Sequence, residues 1–194
     1  MRGGREPHGG EVINHAQHQG LNVVHVSAPP EPAGLSAILR QYPEADVVNL
    51  TSFVSDPMLG VIYPACDAVL ANSGHEPFGL VGLEVMAAGG LAVTGATGED
   101  YADAYRNALV LETDDAIELV TGLNLIQQRP RVAAAMRRRG HMTARAYTWE
   151  KVIEQLLLRI EFAAAQQAVT MAAAAPEDPK AVRRRIRKPE QPVG

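Results

Sequence analysis

The chain has 194 residues, of which 46% are hydrophobic and 21% charged, with a formal net charge of −4 at pH 7. This composition is typical of a globular protein, and no run approaches the roughly 20 apolar residues of a membrane-spanning helix. The acidic balance gives no general attraction to nucleic acid, so no specific nucleic-acid partner is expected. The single cysteine, Cys66, excludes an internal disulfide and fits a reducing compartment, which favours a cytoplasmic protein.

Apolar strand patterns alternate with helical patterns as far as residue 111. In chain order, the sequence predicts a helix at 11–18, a strand at 21–26, a helix at 35–39, a strand at 46–50, a helix at 57–65, a strand at 68–71, a helix at 80–88, and strands at 91–94 and 108–111. The strands are continuous apolar runs, as in a parallel sheet that is covered on both faces. The pattern therefore predicts one Rossmann-like, doubly wound α/β sheet.

Helices alone are predicted after residue 112. They cover residues 114–128 and 131–146, and a long third helix follows Thr148 as its N-cap. We expect one domain over residues 1–168 and a disordered, basic, proline-containing tail over residues 169–194. The tail is interpreted as a solvated terminus, with weak electrostatic attachment to an anionic membrane or to RNA as the alternative.

Glu84 is the most informative charged residue of the predicted helix at 80–88. The other side chains of that helix are apolar, so the helix is expected to be buried on every side. A buried carboxylate requires partners, and no lysine or arginine occurs between residues 41 and 105. Backbone donors, a distant side chain and the hydroxyl groups of a ligand remain as alternatives.

The start of this helix has the features of a phosphate site. Gly79 permits close approach of a ligand to the backbone, and the first N–H groups of a helix point outward at its positive end. The helix also follows a strand, at the carboxyl edge of the sheet where open α/β folds bind ligands. Glu76 lies on the loop just before the helix, eight positions ahead of Glu84. Two acids at this spacing can hold hydroxyl groups around a bound phosphate.

These residues resemble the donor site of retaining glycosyltransferases of the GT-B fold, family 4 (group 1). The mark of that family is E-x-F-G-x-x-x-x-E-A-M-A-x-G, and this chain has Glu76, Phe78, Gly79, Glu84, Met86, Ala87 and Gly89 at the matching positions. Val85 replaces the usual alanine, and Leu91 stands where proline is usual. The resemblance spans about residues 20–160 and includes Ser52-Phe53-Val54, which is similar to the family's segment beside the nucleobase.

The resemblance implies a role for each matched residue. Glu84 is expected to bind the ribose hydroxyls, and Glu76 to contact the transferred sugar as the candidate catalytic residue. The backbone of Phe78, Gly79 and Leu80 is expected to meet the diphosphate or the sugar, and Val54 to lie near the base. The family uses an arginine and a lysine, without a metal or other cofactor, to neutralise the diphosphate. In this chain Arg5 is the candidate arginine.

The resemblance also implies a missing part. A GT-B enzyme works in the cleft between two Rossmann-like halves, and this chain provides the C-terminal, donor-binding half. We expect it to bind a UDP-, GDP- or ADP-sugar, to serve transfer of a hexose-type sugar with retention, and to need an N-terminal acceptor-binding domain or chain for activity. The alternative is a non-catalytic nucleotide-sugar-binding or assembly module. A dinucleotide oxidoreductase is disfavoured, because no G-x-G-x-x-G follows a predicted strand.

Overall fold

The computed structural model describes residues 7–27, 29, 31–71, 78–95 and 100–174. The strands of this part of the chain are β1 (Val23–Val26), β2 (Val47–Leu50), β3 (Val69–Ala71), β4 (Ala92–Gly95) and β5 (Leu109–Leu111). The helices are α1 (Pro7–His18), α2 (Pro32–Leu39), α3 (Asp56–Ala65), α4 (Leu80–Ala87), α5 (Ala116–Gln128), α6 (Pro130–Ala144) and α7 (Trp149–Ala174).

Every ladder between these strands is parallel, which confirms the predicted α/β class. Strand β1 pairs with β2 over Val23↔Val47 to Val26↔Leu50. Strand β4 lies between β3 and β5, with Val69↔Ala92 and Val93↔Leu109 as the first pairs. Within the described residues these two ladders are not joined to each other by hydrogen bonds.

Strand β4 is the centre of the three-stranded sheet, and all four of its residues are buried. Its two faces contribute to two hydrophobic clusters. Ala92 belongs to a cluster built mainly from α3, α4 and the 101–108 segment, with Leu50 of β2 packed against it. Val93 belongs to a cluster that also takes residues from β5, α5 and α6. Helices therefore cover both faces of β4, as the continuous apolar run of its sequence indicates.

Helix α5 begins with two side-chain caps. The carboxylate of Asp115 accepts a hydrogen bond from the backbone N–H of Ile117, at 2.8 Å. Glu118, in the first turn, accepts from the backbone N–H groups of Glu112 and Thr113, both at 2.9 Å, and from the Thr113 hydroxyl at 2.7 Å. These bonds attach the loop after β5 to the start of the helix.

The chain divides into two compact units, residues 1–146 and 147–194. In the second unit, helix α7 begins at Trp149, directly after Thr148 as predicted, and continues to Ala174. The predicted boundary between residues 168 and 169 falls within this helix, and the division into a domain and a tail stays a prediction. The rest of the basic tail lies outside the described residues. None of the helices described is both long enough and apolar enough to span a membrane.

The cap formed by Glu118 predicts a pH-dependent contribution to stability. The Glu112 N–H, the Thr113 hydroxyl and the Thr113 N–H lower the pKa of Glu118 in the folded chain. The unfolded chain therefore binds this proton more readily, and the stabilisation is present above the ordinary glutamate pKa of about 4.3 and lost as the pH falls through the lower folded pKa. We expect the melting-temperature difference between wild type and Glu118→Gln to be largest above about pH 5 and to shrink in acid.

Thr113→Ala provides the matched variant for this experiment, because it removes one of the three donors and should reduce the pH-dependent part. A difference between wild type and Glu118→Gln that stays constant from neutral pH into acid would contradict this interpretation of the cap.

Candidate functional site

The candidate site lies where strand β3 ends and helix α4 begins. Strand β3 ends at Ala71, and helix α4 begins at Leu80. Gly79 is the N-cap of α4 and has the left-handed backbone angles φ 70° and ψ 57°. Glycine adopts this conformation without the steric cost that a Cβ atom brings. The helix N-terminus is thus formed by a turn that favours glycine at its cap.

Tyr101 supports this turn from the interior. Its side chain is 3% exposed, and its hydroxyl donates a hydrogen bond to the Gly79 carbonyl. Its ring lies against the ring of Phe78, with the centroids 5.5 Å apart and the planes tilted by 58°. Phe78 and Gly79, the two residues directly before α4, therefore both contact one buried tyrosine.

Asn107 in turn fixes the backbone around Tyr101. Its amide nitrogen donates to the Tyr101 carbonyl at 2.8 Å and to the Thr143 hydroxyl of α6 at 3.0 Å. Its amide oxygen accepts from the Asp103 N–H at 2.7 Å. Asn107 is 5% exposed, and its buried amide is satisfied on both sides. The result is a chain of hydrogen bonds from α6 to the start of α4.

Helix α4 approaches Tyr101 and strand β4 closely at Gly82. A Cβ atom on Gly82 would lie 2.6 Å from the Tyr101 hydroxyl oxygen and 2.9 Å from the Thr94 methyl group. Thr94 is fully buried, and its hydroxyl has no hydrogen-bond partner within the described residues. The absence of a side chain at Gly82 leaves room for the Tyr101 hydroxyl beneath the first turn of the helix.

The structure corrects the expectation that α4 is buried on every side. Gly82, Val85 and Met86 form its buried face, whereas Leu80 is 61% exposed and Val81 37% exposed. Glu84 lies on the exposed side. The prediction that Glu84 is a buried carboxylate is therefore wrong, and Glu84 needs no interior partner. As an exposed residue, Glu84 is accessible to a ligand.

The other residues predicted for the site are distributed unevenly. Phe78 is half-buried and Gly79 buried, and together with Leu80 and Glu84 they form one continuous segment. Val54 is 2% exposed and belongs to the core, so it offers almost no surface for the predicted contact with a base. Glu76 and Arg5 lie outside the described residues.

Sequence reasoning missed Tyr101 and Asn107. Both lie in the segment between β4 and β5, 22 and 28 positions after Gly79, and no local periodicity connects them with α4. Their side chains are buried among residues 100–108, which form turns and an isolated bridge, and the apolar pattern carries no information there. Only the hydrogen bonds from the Tyr101 hydroxyl and the Asn107 amide show their role.

A cavity of about 480 Å³ occurs elsewhere, between the loop before β3 and helices α5 and α6. Asp67 and Ala68 line it, so it lies at the amino end of β3, whereas Gly79 and Glu84 belong to the opposite end. Arg137 borders the cavity and donates to the carbonyls of Pro64, Cys66 and Asp67, at 3.1, 2.6 and 2.9 Å. Its guanidinium thus holds the end of α3 in place, which is a structural role. The described ranges contain no cluster of three or more histidine, cysteine or acidic side chains suited to a metal ion.

Known proteins match this chain in sequence and in fold. The family model for glycosyl transferases group 1 matches residues 11–143, more than half of the chain. The chain is 32% identical over 121 residues to mannosylfructose-phosphate synthase of Agrobacterium fabrum, covering 60% of this chain and 26% of that protein. It is 29% identical over 163 residues to D-inositol 3-phosphate glycosyltransferase of Geodermatophilus obscurus, covering 79% and 35%. The chain thus spans about a quarter to a third of these relatives.

Solved structures share the fold. Sucrose-phosphate synthase of Thermosynechococcus elongatus superposes with a TM-score of 0.54 at 25% identity, over 73% of this chain and 38% of that one. HepE of Anabaena, solved in complex with UDP-glucose, superposes with a TM-score of 0.53 at 16% identity, over 80% and 53%.

The support of Tyr101 by Asn107 predicts a stability effect. Asn107→Ala leaves the Tyr101 carbonyl and the Asp103 N–H without this partner, and we expect a loss of about 1–3 kcal/mol in the free energy of unfolding. Arg106→Ala is the neighbouring control: its exposed ion pair with Asp103, at 2.8 Å, should change stability by less than about 1 kcal/mol. Urea denaturation followed by circular dichroism measures both, and equal effects of the two substitutions would contradict the assignment.

Proposed function

Because the chain belongs to the glycosyl transferases group 1 family, we propose that it binds a nucleoside-diphospho-sugar at the N-terminus of α4 and serves as the donor-binding half of a glycosyltransferase. The observation that carries the proposal is the arrangement of one segment. A left-handed Gly79 opens the helix, the first turn is exposed at Leu80 and Val81, and Glu84 follows on the exposed side.

The diphosphate is proposed to bind at the first turn of α4. The first N–H groups of a helix have no partner within the helix, and the helix dipole places partial positive charge on them. Such a terminus binds phosphate without a formal cation. The helix terminus therefore supports phosphate binding in a part of the chain, residues 41–105, that contains no lysine or arginine. Arg5 is proposed to add positive charge from the segment before α1.

Glu84 is proposed to bind the ribose hydroxyls. It lies four positions after Leu80, so the two residues are neighbours on one side of the helix, about 6 Å apart along its axis. This is a suitable separation for a carboxylate that contacts the ribose while the phosphates contact the first turn. Glu76, which comes before the helix in the sequence, is proposed to contact the hydroxyls of the transferred sugar.

The proposed reaction is transfer of a hexose-type sugar to an acceptor with retention at the anomeric carbon. The chain spans about a quarter to a third of the curated relatives that it matches, and we propose that the acceptor half is supplied by an N-terminal domain or a separate chain. A second candidate function is that of a nucleotide-sugar-binding module without catalysis. A site with a single candidate arginine favours that candidate.

Donor binding can be tested by thermal shift and titration calorimetry with UDP, GDP, ADP and their common sugar conjugates. We expect one nucleotide to stabilise the chain selectively, and Glu84→Gln to weaken its affinity about tenfold or more, because a charged hydrogen bond to the ribose contributes about 1.5–3 kcal/mol. The melting temperature of the free chain should stay within a few degrees, since Glu84 is exposed.

Glu154→Gln, an acid-to-amide change on helix α7, is the matched control and should leave nucleotide affinity unchanged. If Glu84→Gln lowers the melting temperature of the free chain strongly and leaves nucleotide affinity intact, Glu84 is a structural residue and the proposed role is wrong.

Catalysis can be tested separately. We expect the isolated chain to bind donor without transferring sugar to simple acceptors, because the proposed acceptor half lies outside it. The measurement is product formation by mass spectrometry with the donor that binds. Robust turnover by the purified chain would contradict the proposed need for a second half.

A further inference from the structure

We infer that Tyr101 is a positioning residue of the donor site, whose hydroxyl sets the direction of the first N–H group of α4. This inference rests on the proposed function, since it concerns the same phosphate-binding turn. Tyr101 does not contact the ligand in this account. It acts through the peptide group between Gly79 and Leu80.

The geometry of one peptide group carries the inference. The Gly79 carbonyl and the Leu80 N–H belong to the same planar, trans peptide, so they point in opposite directions. The Tyr101 hydroxyl lies in the interior and donates to the Gly79 carbonyl. When the carbonyl points inward to Tyr101, the Leu80 N–H must point away from it, towards the exposed start of the helix. The same hydrogen bond polarises the peptide and strengthens this N–H as a donor.

Glycine at the cap makes such an anchor necessary. Gly79 has φ 70°, but glycine populates left-handed and right-handed conformations about equally, so its own preference does not hold the turn. The hydrogen bond from Tyr101 selects one of these conformations. Phe78 packs on the same tyrosine ring, which restrains the residue before the glycine as well. The turn is therefore ordered before a ligand arrives, which lowers the entropic cost of binding.

The position of Tyr101 depends on a hydrogen bond from Asn107 and on the space left by Gly82. Asn107 bonds the Tyr101 carbonyl and connects it to Thr143 of α6. On the other side, Gly82 leaves space for the hydroxyl, because a Cβ atom there would come within 2.6 Å of the hydroxyl oxygen. A substitution at Gly82 should therefore displace the hydroxyl and act on the same peptide group as a substitution at Tyr101.

The experiment compares the full chain with Tyr101→Phe, which removes the hydroxyl and keeps the ring that packs on Phe78. Tyr105→Phe is the matched control, since Tyr105 lies in the same segment and is 55% exposed. Amide hydrogen exchange of residues 78–84 is measured without ligand. Calorimetry then compares the best-binding diphosphate among UDP, GDP and ADP with its monophosphate.

We expect exchange in residues 78–84 to accelerate about threefold or more in Tyr101→Phe and not in Tyr105→Phe. Diphosphate affinity should fall about five- to tenfold, as for loss of one hydrogen bond, and monophosphate affinity should fall less. Gly82→Ala, whose Cβ atom would also lie 2.9 Å from the Thr94 methyl group, should accelerate exchange in the same residues. In combination with Tyr101→Phe its added effect should be smaller than in wild type, because the hydroxyl that it displaces is then absent.

Unchanged exchange in residues 78–84 of Tyr101→Phe would overturn the inference, whatever the nucleotide affinities are. Equal weakening of diphosphate and monophosphate would overturn the phosphate-positioning role. If the wild type binds no nucleotide, the proposed function fails. In that case faster exchange in Tyr101→Phe still supports the inference that the Tyr101 hydroxyl orders the turn before α4. Unchanged exchange refutes that inference. Should Tyr101→Phe fail to fold, Gly82→Ala supplies the test.

Discussion

The one-sided burial of helix α4 is the constraint on which the candidate site depends. Gly82, Val85 and Met86 face the interior, and the helix packs on α6 and on the fully buried strand β4. This contact fixes the axis of the helix and leaves its first turn and Glu84 exposed at the carboxyl edge of the sheet. The interior therefore determines the direction in which the exposed N–H groups and the carboxylate point.

The same arrangement explains how an anion can bind in a segment without cations. The helix dipole and the free N–H groups supply fixed partial charges that need no reorganisation. How well these N–H groups bind an anion depends on the orientation of a few peptide groups. The residues that fix this orientation therefore matter as much as the peptide groups themselves. Asn107, Tyr101 and the space at Gly82 are such supports. We regard them as the reason that a glycine-capped turn can hold one conformation.

Sequence reasoning predicted the strands and helices well, whereas the roles of the site residues stay predictions. The strands appear within one or two residues of their predicted positions because buried parallel strands have unmistakable apolar runs. The start of α4 was predicted from Gly79 and the acids around it. The exposure of Glu84 was predicted wrongly, because a short helix with apolar residues on all sides in sequence can still present Leu80 and Val81 to solvent.

Tyr101 and Asn107 could not be predicted, since their roles come from tertiary contacts with residues 22 and 36 positions away. The division of the strands into two ladders also escaped prediction. Pairing between strands depends on three-dimensional neighbours, whereas the apolar pattern reports only that each strand is buried.

The most direct test of the central claim is to map nucleotide binding on the backbone. Isotope-labelled chain would be titrated with UDP, GDP and ADP while the amide resonances are followed by NMR spectroscopy. The account predicts that the nucleotide that binds shifts the amides of residues 79–84 most strongly. Shifts concentrated instead around the cavity between α5 and α6, near Leu123 and Arg137, would place the ligand at the opposite end of the sheet and contradict the account.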